Sequence, residues 1–209
     1  MRYLAQTRII SNIFALLLVK TKLRRKLKMK KKTQLIAQTA VIAALYAALT
    51  YAQNLLLPGT TSMAVQFRVS EALNVLALFT PAAIPGLTIG CIVSNLYNIG
   101  TGLPLDMIFG SLATLGSAVC MYLLRNVKIK SYPLLSMLMP AVFNSVIIGW
   151  EIEYFFIDGA FEFIGFLTQG ALVGLGELGV MAVLGTALYY AIKGKKIDKY
   201  FYKPTKQTK

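Results

Sequence analysis

Long apolar stretches with almost no charge are the feature that most constrains how this chain can fold. Arg68 is the only lysine or arginine between Thr33 and Leu124, and residues 131–192 contain none. Several apolar runs reach 18 residues, the length at which a helix can cross the hydrocarbon core of a bilayer. A transmembrane β-barrel would need alternating apolar and polar residues, and no such alternation occurs. The sequence therefore predicts an all-α, polytopic membrane protein built as one bundle.

The distribution of the basic residues predicts the topology. A formal net charge of +14 is typical of nucleic-acid-binding proteins, but the 22 basic residues cluster at the edges of the apolar runs. Eleven lie in residues 1–32, three between Arg125 and Lys130, and seven from Lys193 onward. Cytoplasmic loops of membrane proteins carry this excess of positive charge. We therefore interpret the charge as topology and lipid contact, and expect no nucleic-acid partner.

If all three basic clusters are cytoplasmic, an even number of spans must separate each from the next, which gives six spans and two cytoplasmic termini. The predicted spans are about 33–57, 68–79, 83–99, 104–125, 132–150 and 163–192. The second is too short to cross about 30 Å as an α-helix. The preceding "TTSMAVQF" must therefore extend the helix or dip into the protein from outside. We interpret "WEIEYFFIDGAFEF", acidic and aromatic, as an external loop.

Three segments follow from these boundaries. Residues 29–195 should form a six-helix transmembrane domain, and residues 196–209 a basic cytoplasmic tail. Residues 1–28 are a basic N-terminal extension whose apolar run, "IISNIFALLLV", is too short to span a membrane. Met29 begins "MKKKTQLIAQ", an ordinary cytoplasmic start, so we expect residues 1–28 to be an artefact of start-codon choice. A signal-type core or an interfacial helix is the alternative.

Several functional classes are excluded by missing residues. The chain has no histidine, which rules out histidine metal sites and Ser–His or Cys–His catalysis. It has no phosphate-binding loop, so any ATP must be hydrolysed by another subunit. Cys91 and Cys120 lie in apolar runs and are interpreted as small core residues. These missing residues argue against an enzyme, and we expect no cofactor and no metal.

Ionisable residues inside spans are the candidate functional residues, because each costs about 2.5–3.5 kcal/mol to insert. Arg68, Glu71 and Asn74 recur every three residues and share one helical face. That face either lines a polar cavity at the external mouth or holds a self-neutralising ion pair.

Glu177 lies near the middle of the last span, far from any basic residue. Gly170 and Gly174 lie on the same face and would leave a slot for a flat ligand. The alternative is helix packing, with Glu177 bonded to a neighbouring asparagine or serine. Asp106, in the first turn after Pro104, either suits the helix dipole or binds ligand.

Two further sets of residues are candidates for binding. The span amides Asn95 and Asn144 need partners when buried, and a ligand or another helix could supply them. Ala40, Ala44 and Ala48 form a stripe of small residues that lets helices approach closely. This stripe serves internal packing or docking on another membrane subunit.

Three stretches resemble one known family. "QFRVSEALNVLALFTPAAIPGLTIGC", "LDMIFGSLATL" and "GLGEL" are similar to the QueT family, the queuosine-precursor substrate-binding (S) components of energy-coupling-factor (ECF) transporters. The resemblance covers about residues 29–195. It implies a six-helix S-component bundle with both termini inside, in the cytoplasmic membrane of a prokaryote. The loop after the first helix would gate the pocket, and Ala40, Ala44 and Ala48 would dock on the transmembrane coupling subunit.

The resemblance also implies a ligand and partners. ATP would be hydrolysed by two separate ATPase subunits. The ligand would be a deazapurine such as 7-aminomethyl-7-deazaguanine, its cyano relative or queuine. Glu177 or Glu71 would accept the ring N–H and exocyclic amine together. Arg68 or Asn95 would donate to the base carbonyl, and Asp106 would face a cationic aminomethyl group.

Two other functions remain open on the sequence. One is an S component for another vitamin. The other is a stand-alone proton-coupled carrier, with Glu177 or Asp106 as its proton site.

Overall fold

The computed structural model describes residues 31–60, 65–96 and 104–201, and the predicted extension 1–28 lies outside them. The chain divides into two compact units, Met1–Ala37 and Gln38–Lys209. The described residues form six helices: α1 (Lys31–Leu56), α2 (Val69–Leu78), α3 (Ala83–Asn95), α4 (Pro104–Leu124), α5 (Leu134–Phe155) and α6 (Phe163–Gly194).

The six helices correspond to the six predicted spans. Helices α1, α4, α5 and α6 are long and apolar enough to cross a membrane, with mean hydropathies of 1.5 to 1.8. Helices α2 and α3 are shorter and equally apolar in character. Across the described ranges no β-strand occurs, only an isolated bridge between Ile129 and Tyr132. The prediction of an all-helical membrane protein is confirmed.

Helix α2 differs from the expected span because it is a 3-10 helix of 10 residues. Such helices rise about 2.0 Å per residue, so α2 covers about 20 Å where an α-helix would cover about 15 Å. Runs of more than 3–4 residues are uncommon, because the hydrogen-bond geometry is poorer. Eight of the ten residues of α2 are buried, so tertiary packing holds this backbone in place.

The residues that lead into α2 are extended backbone. Arg68 has φ −104° and ψ 106°, and both Gln66 and Arg68 are buried. Of the two alternatives for the preceding segment, the described part, residues 65–68, therefore dips into the protein and does not lengthen the helix. Residues 61–64 of the same segment lie outside the described ranges.

Gln53 of α1 satisfies the backbone of this entering segment. Its Oε1 accepts the Val69 N–H at 2.8 Å, and its Nε2 donates to the Phe67 carbonyl and to Thr60 Oγ1. An unpaired peptide group in the apolar interior of a membrane protein costs several kcal/mol. A single glutamine thus provides what a helical hydrogen-bond ladder would otherwise supply.

Glycines bring α1 and α3 into close contact. A Cβ atom on Gly90 would lie 2.6 Å from the Cβ of Tyr46, and one on Gly86 would lie 2.9 Å from the Cβ of Ile42. Two glycines four residues apart are a common device for close helix packing in membranes. This contact fixes the buried face of α1, which carries Tyr46 into the interior.

Glycines also bring α5 and α6 together, and here a prediction is wrong. A Cβ on Gly149 would lie 2.6 Å from the Gly170 Cα, and one on Gly170 would lie 2.6 Å from the Ser145 carbonyl oxygen. Gly174 faces the Ser145 hydroxyl. The space beside Gly170 and Gly174 is filled by α5, so these glycines serve helix packing and leave no slot for a ligand.

The predicted external loop is shorter than expected because α5 continues to Phe155. The last turns of α5 pack on α4: the ring centroids of Trp150 and Phe155 lie 5.6 and 5.8 Å from that of Phe109. Glu151 and Glu153, assigned to the loop from the sequence, are therefore helical and buried.

We predict that Gln53→Leu destabilises the protein by about 2–6 kcal/mol, because two partly buried backbone groups lose their partner at about 1–3 kcal/mol each. Denaturation in detergent micelles measures the change. Gln169→Leu on α6 is the matched control, since Gln169 is only partly buried and forms no hydrogen bond to the described residues. Equal losses in the two variants would contradict this role for Gln53.

Candidate functional site

The central cluster consists of five buried ionisable side chains: Glu71 of α2, Asp106 of α4, Glu151 of α5, Glu177 of α6 and Arg68 of the segment before α2. Each is at most 8% exposed. They interact electrostatically: Arg68 acts on Glu71, Asp106, Glu151 and Glu177. The cluster holds one guanidinium and four carboxyl groups, which makes it acidic. The sequence singled out four members and missed Glu151.

The cation of the cluster is paired with the first turn of α4. Arg68 Nη2 lies 2.7 Å from Asp106 Oδ2. Asn95 Nδ2 of α3 donates to the Asp106 carbonyl at 3.0 Å. A Cβ on Gly110 would lie 3.2 to 3.6 Å from polar atoms of all three residues, so the absence of a side chain there makes room for them.

The expected ion pair between Arg68 and Glu71 does not form among the described residues; the partner of Arg68 is 38 residues further along the chain. A pair that close in sequence is what a helical face predicts. The extended backbone at Arg68 breaks that face, so the guanidinium points to α4 while Glu71 follows α2.

Glu71 is surrounded by donors. Its carboxylate accepts hydrogen bonds from the Tyr46 hydroxyl, from Asn74 Nδ2 and, at 3.5 Å, from Thr114 Oγ1. These come from α1, α2 and α4, so Glu71 ties three helices together. Sequence reasoning missed Tyr46 and Thr114. A tyrosine in an apolar span was the available signal for Tyr46, whereas Thr114 looks like any small packing residue.

Glu177 differs from Glu71 in its hydrogen bonding. It is 1% exposed, and its Oε2 has no hydrogen-bond partner among the described residues. The predicted asparagine or serine partner is not found there. The entering segment lies beside it: the Gln66 backbone meets α6 at Gly176, where a Cβ would overlap the Gln66 carbonyl oxygen.

The turn that follows Glu177 is widened. Met181–Gly185 forms a π-helical turn within α6, and Thr186 Oγ1 bonds the Met181 carbonyl at 3.2 Å. Turns of this kind occur frequently at functional sites. The π-helical turn and the unpartnered Glu177 oxygen therefore lie in the same part of α6.

Glu151 is also 1% exposed, and neither carboxylate oxygen has a partner in the described part of the chain. Asn144 lies on the same face of α5, two turns earlier. Its Nδ2 donates to the Pro140 carbonyl at 2.9 Å, and no described hydrogen bond joins it to the central cluster. The spacing of Asn144 and Glu151 was the sequence signal that could have identified Glu151.

The alanine stripe faces away from the bundle. Ala40, Ala44 and Ala48 are exposed, whereas the neighbouring Ala47 is buried. Internal packing in the described structure therefore does not use the stripe.

Six apolar helices around a buried, acidic cluster with unpartnered carboxylates define a multi-pass membrane protein with a polar interior site. Comparison with known proteins agrees. Residues 36–194, most of the chain, match the QueT transporter family, and the chain belongs to that family.

One curated relative is the "Queuosine precursor transporter QueT" of Lactococcus lactis subsp. cremoris (strain MG1363), 40% identical over 89 residues. The match covers 41% of this chain and 48% of the relative, about half the length of that protein. No solved structure matches this chain.

We predict that Gly176→Ala lowers the free energy of unfolding by about 1–3 kcal/mol, because the new methyl group overlaps backbone that is packed on both sides. Gly194→Ala, where a Cβ would meet nothing within 4 Å, is the control and should stay within about 0.5 kcal/mol. Denaturation in micelles compares the two. A neutral Gly176→Ala would mean that Gln66 does not lie against α6.

Proposed function

We propose that this chain is the membrane-embedded substrate-binding subunit of an ECF-type importer that takes up a queuosine precursor, a 7-deazaguanine. The family match and the name of the relative support the ligand class. The observation that carries the proposal is the buried Glu177 carboxylate, which lacks a partner among the described residues. We place the protein in the cytoplasmic membrane of a prokaryote with both termini cytoplasmic, following the basic clusters.

The chemistry of the ligand suits this carboxylate. A deazaguanine presents a ring N–H and an exocyclic amine side by side, and one carboxylate can accept both. Glu71 already accepts three hydrogen bonds, so Glu177 is the better partner for this edge of the base. Arg68, held by Asp106, is the better donor for the base carbonyl, because Asn95 Nδ2 already donates to the Asp106 backbone carbonyl and to Cys91 Sγ.

An unpaired buried carboxylate is costly, and a ligand that pairs with it recovers that cost. Binding of the ligand then provides Glu177 with the hydrogen bonds that the described residues do not supply. Asn144 lies on the wall of α5 and completes the proposed site. Residues 65–68, which pass beside Glu177, belong to the connection after α1 that we expect to gate the pocket.

Transport would require partners. The exposed stripe of Ala40, Ala44 and Ala48 offers a flat surface on which a helix of a transmembrane coupling subunit can pack closely. The chain has no phosphate-binding loop, so two separate ATPase subunits would hydrolyse ATP and this subunit would have no enzymatic activity.

A stand-alone proton-coupled carrier is the second candidate, because an unpartnered buried carboxylate is also what a proton site needs. Liposomes that contain only this chain would take up the deazaguanine if it were such a carrier. Uptake that needs the coupling and ATPase subunits supports the importer. A thermal-shift comparison with folate, biotin and thiamine tests an S component for another vitamin.

We predict that Glu177→Gln weakens binding of 7-aminomethyl-7-deazaguanine at least about 30-fold, because a carboxylate that accepts two N–H groups becomes an amide that can accept only through one oxygen. Isothermal titration calorimetry of the purified protein measures the affinity. Glu162→Gln, an exposed carboxylate, is the control. If Glu177→Gln binds as tightly as Glu162→Gln, the assignment of Glu177 is wrong.

We predict that Ala44→Leu leaves the affinity for the deazaguanine unchanged but prevents co-purification with the coupling subunit and ATP-driven uptake. The added side chain would keep the partner helix from approaching closely. Ala171→Leu places the same change on an exposed alanine of α6 and should preserve both. Normal complex formation by Ala44→Leu would rule out docking at this stripe.

A further inference from the structure

Glu151 is the buried carboxylate that the proposed function leaves without a role. The side chain is only 1% exposed, and both of its carboxylate oxygens are buried without a hydrogen-bond partner among the described residues. A surface glutamate can leave its oxygens to water, but a buried one cannot. Either it pairs with something that the described residues do not supply, or its burial carries an energetic cost without compensation.

The helical position of Glu151 directs it into the site. Ile148, one turn earlier on the same face, packs with Ala113 of α4 and Val173 of α6 in one buried cluster. Glu151 therefore continues the inward face of α5 one turn beyond that contact. Arg68 and Asp106 are the charged groups that act on it electrostatically.

The charge balance of the site favours a cation. Arg68 is the single basic residue of the central cluster, and Asp106 is its ion-pair partner. Glu71 is satisfied by three neutral donors. No lysine or arginine other than Arg68 lies between Thr33 and Leu124 or within residues 131–192, so the chain offers Glu151 no second cation from these spans.

We propose that Glu151 binds a cationic amine of the ligand, so that this site selects a protonated, amine-bearing 7-deazaguanine over a neutral one. This inference rests on the proposed function and deepens it. The aminomethyl group was expected at Asp106 from the sequence. The Asp106 carboxylate forms an ion pair with Arg68, whereas the Glu151 carboxylate is buried and has no partner among the described residues.

Contacts between α5 and α6 set the separation of the two carboxylates. Gly149 faces Gly170 and Ser145 faces Gly174, so the two helices are antiparallel neighbours. Relative to the first contact, Glu151 lies two residues beyond in one direction and Glu177 seven residues beyond in the other. At 1.5 Å per residue, they are about 14 Å apart along the helix axes. To contact both, a ligand must lie between the two side chains and be elongated, as a bicyclic base with an amine arm is.

Two ligands that differ at position 7 test the proposal: 7-aminomethyl-7-deazaguanine, which is cationic, and 7-cyano-7-deazaguanine, which is neutral. Calorimetry on the full chain in detergent should show that the unmodified protein prefers the cationic ligand. Glu151→Gln should weaken binding of the cationic ligand at least about 30-fold and change the affinity for the neutral one less than about threefold. The preference between the ligands is the readout, and binding of the neutral ligand shows that the variant is folded.

Glu153→Gln is the matched control. Glu153 is buried on the same helix, but its Oε1 accepts the Glu162 N–H at 3.2 Å and thus has a structural partner. The control should keep the preference of the unmodified protein.

Three results would overturn the proposal. In the first, Glu151→Gln keeps the full preference for the cationic ligand; in the second, it weakens binding of both ligands equally, which would assign Glu151 a structural role. If the unmodified protein binds the neutral ligand as well as the cationic one, selectivity for charge is absent although the proposed function stands. Binding of neither deazaguanine to the unmodified protein would instead refute the proposed function itself.

Discussion

A charged or peptide group in the hydrocarbon interior must find its partner within the protein, and this requirement organises the whole bundle. Gln53 is the partner of the extended backbone before α2, Asp106 is the partner of Arg68, and three donors are the partners of Glu71. Apart from the bond between Asn74 and Glu71 within α2, each of these partnerships crosses from one helix or segment to another. The polar contacts therefore specify which elements are neighbours, while the apolar surfaces only require that they be buried.

Against this background the two unpartnered carboxylates are exceptions that need a reason. Glu151 and Glu177 belong to adjacent helices whose glycines and small residues pack backbone against backbone. That close packing leaves little freedom for either helix to turn its carboxylate toward solvent. Among the described residues the other buried charges have partners and these two do not, and this difference is the observation on which the proposed ligand contacts rest.

Much of the fold could be predicted from the sequence because basic clusters and apolar run lengths directly report where helices enter and leave a membrane. The 3-10 geometry of α2 could not, since it depends on packing and on Gln53 from another helix. The Arg68–Asp106 pair was missed because contacts 38 residues apart leave no periodic trace. Glu151 was missed because aromatic residues around it are as typical of an interfacial loop as of a helix end.

Glycines show why the site was harder to predict than the helices. Gly170 and Gly174 precede Glu177 at helical spacing, and that pattern fits both an open slot and a close helix contact. Only the position of Ser145 decides between them. A sequence reports that a side chain is missing, but the neighbouring element determines what occupies the space.

The 3-10 geometry of α2 has a further consequence for how polarity is arranged. With three residues per turn, side chains three apart eclipse one another. Glu71, Asn74 and Ala77 therefore stand in a straight column along one edge of the helix, whereas in an α-helix each step of three would drift by about 60°. Along that column an acid is followed by an amide and then by a methyl group. This edge of α2 therefore changes from polar to apolar along its length.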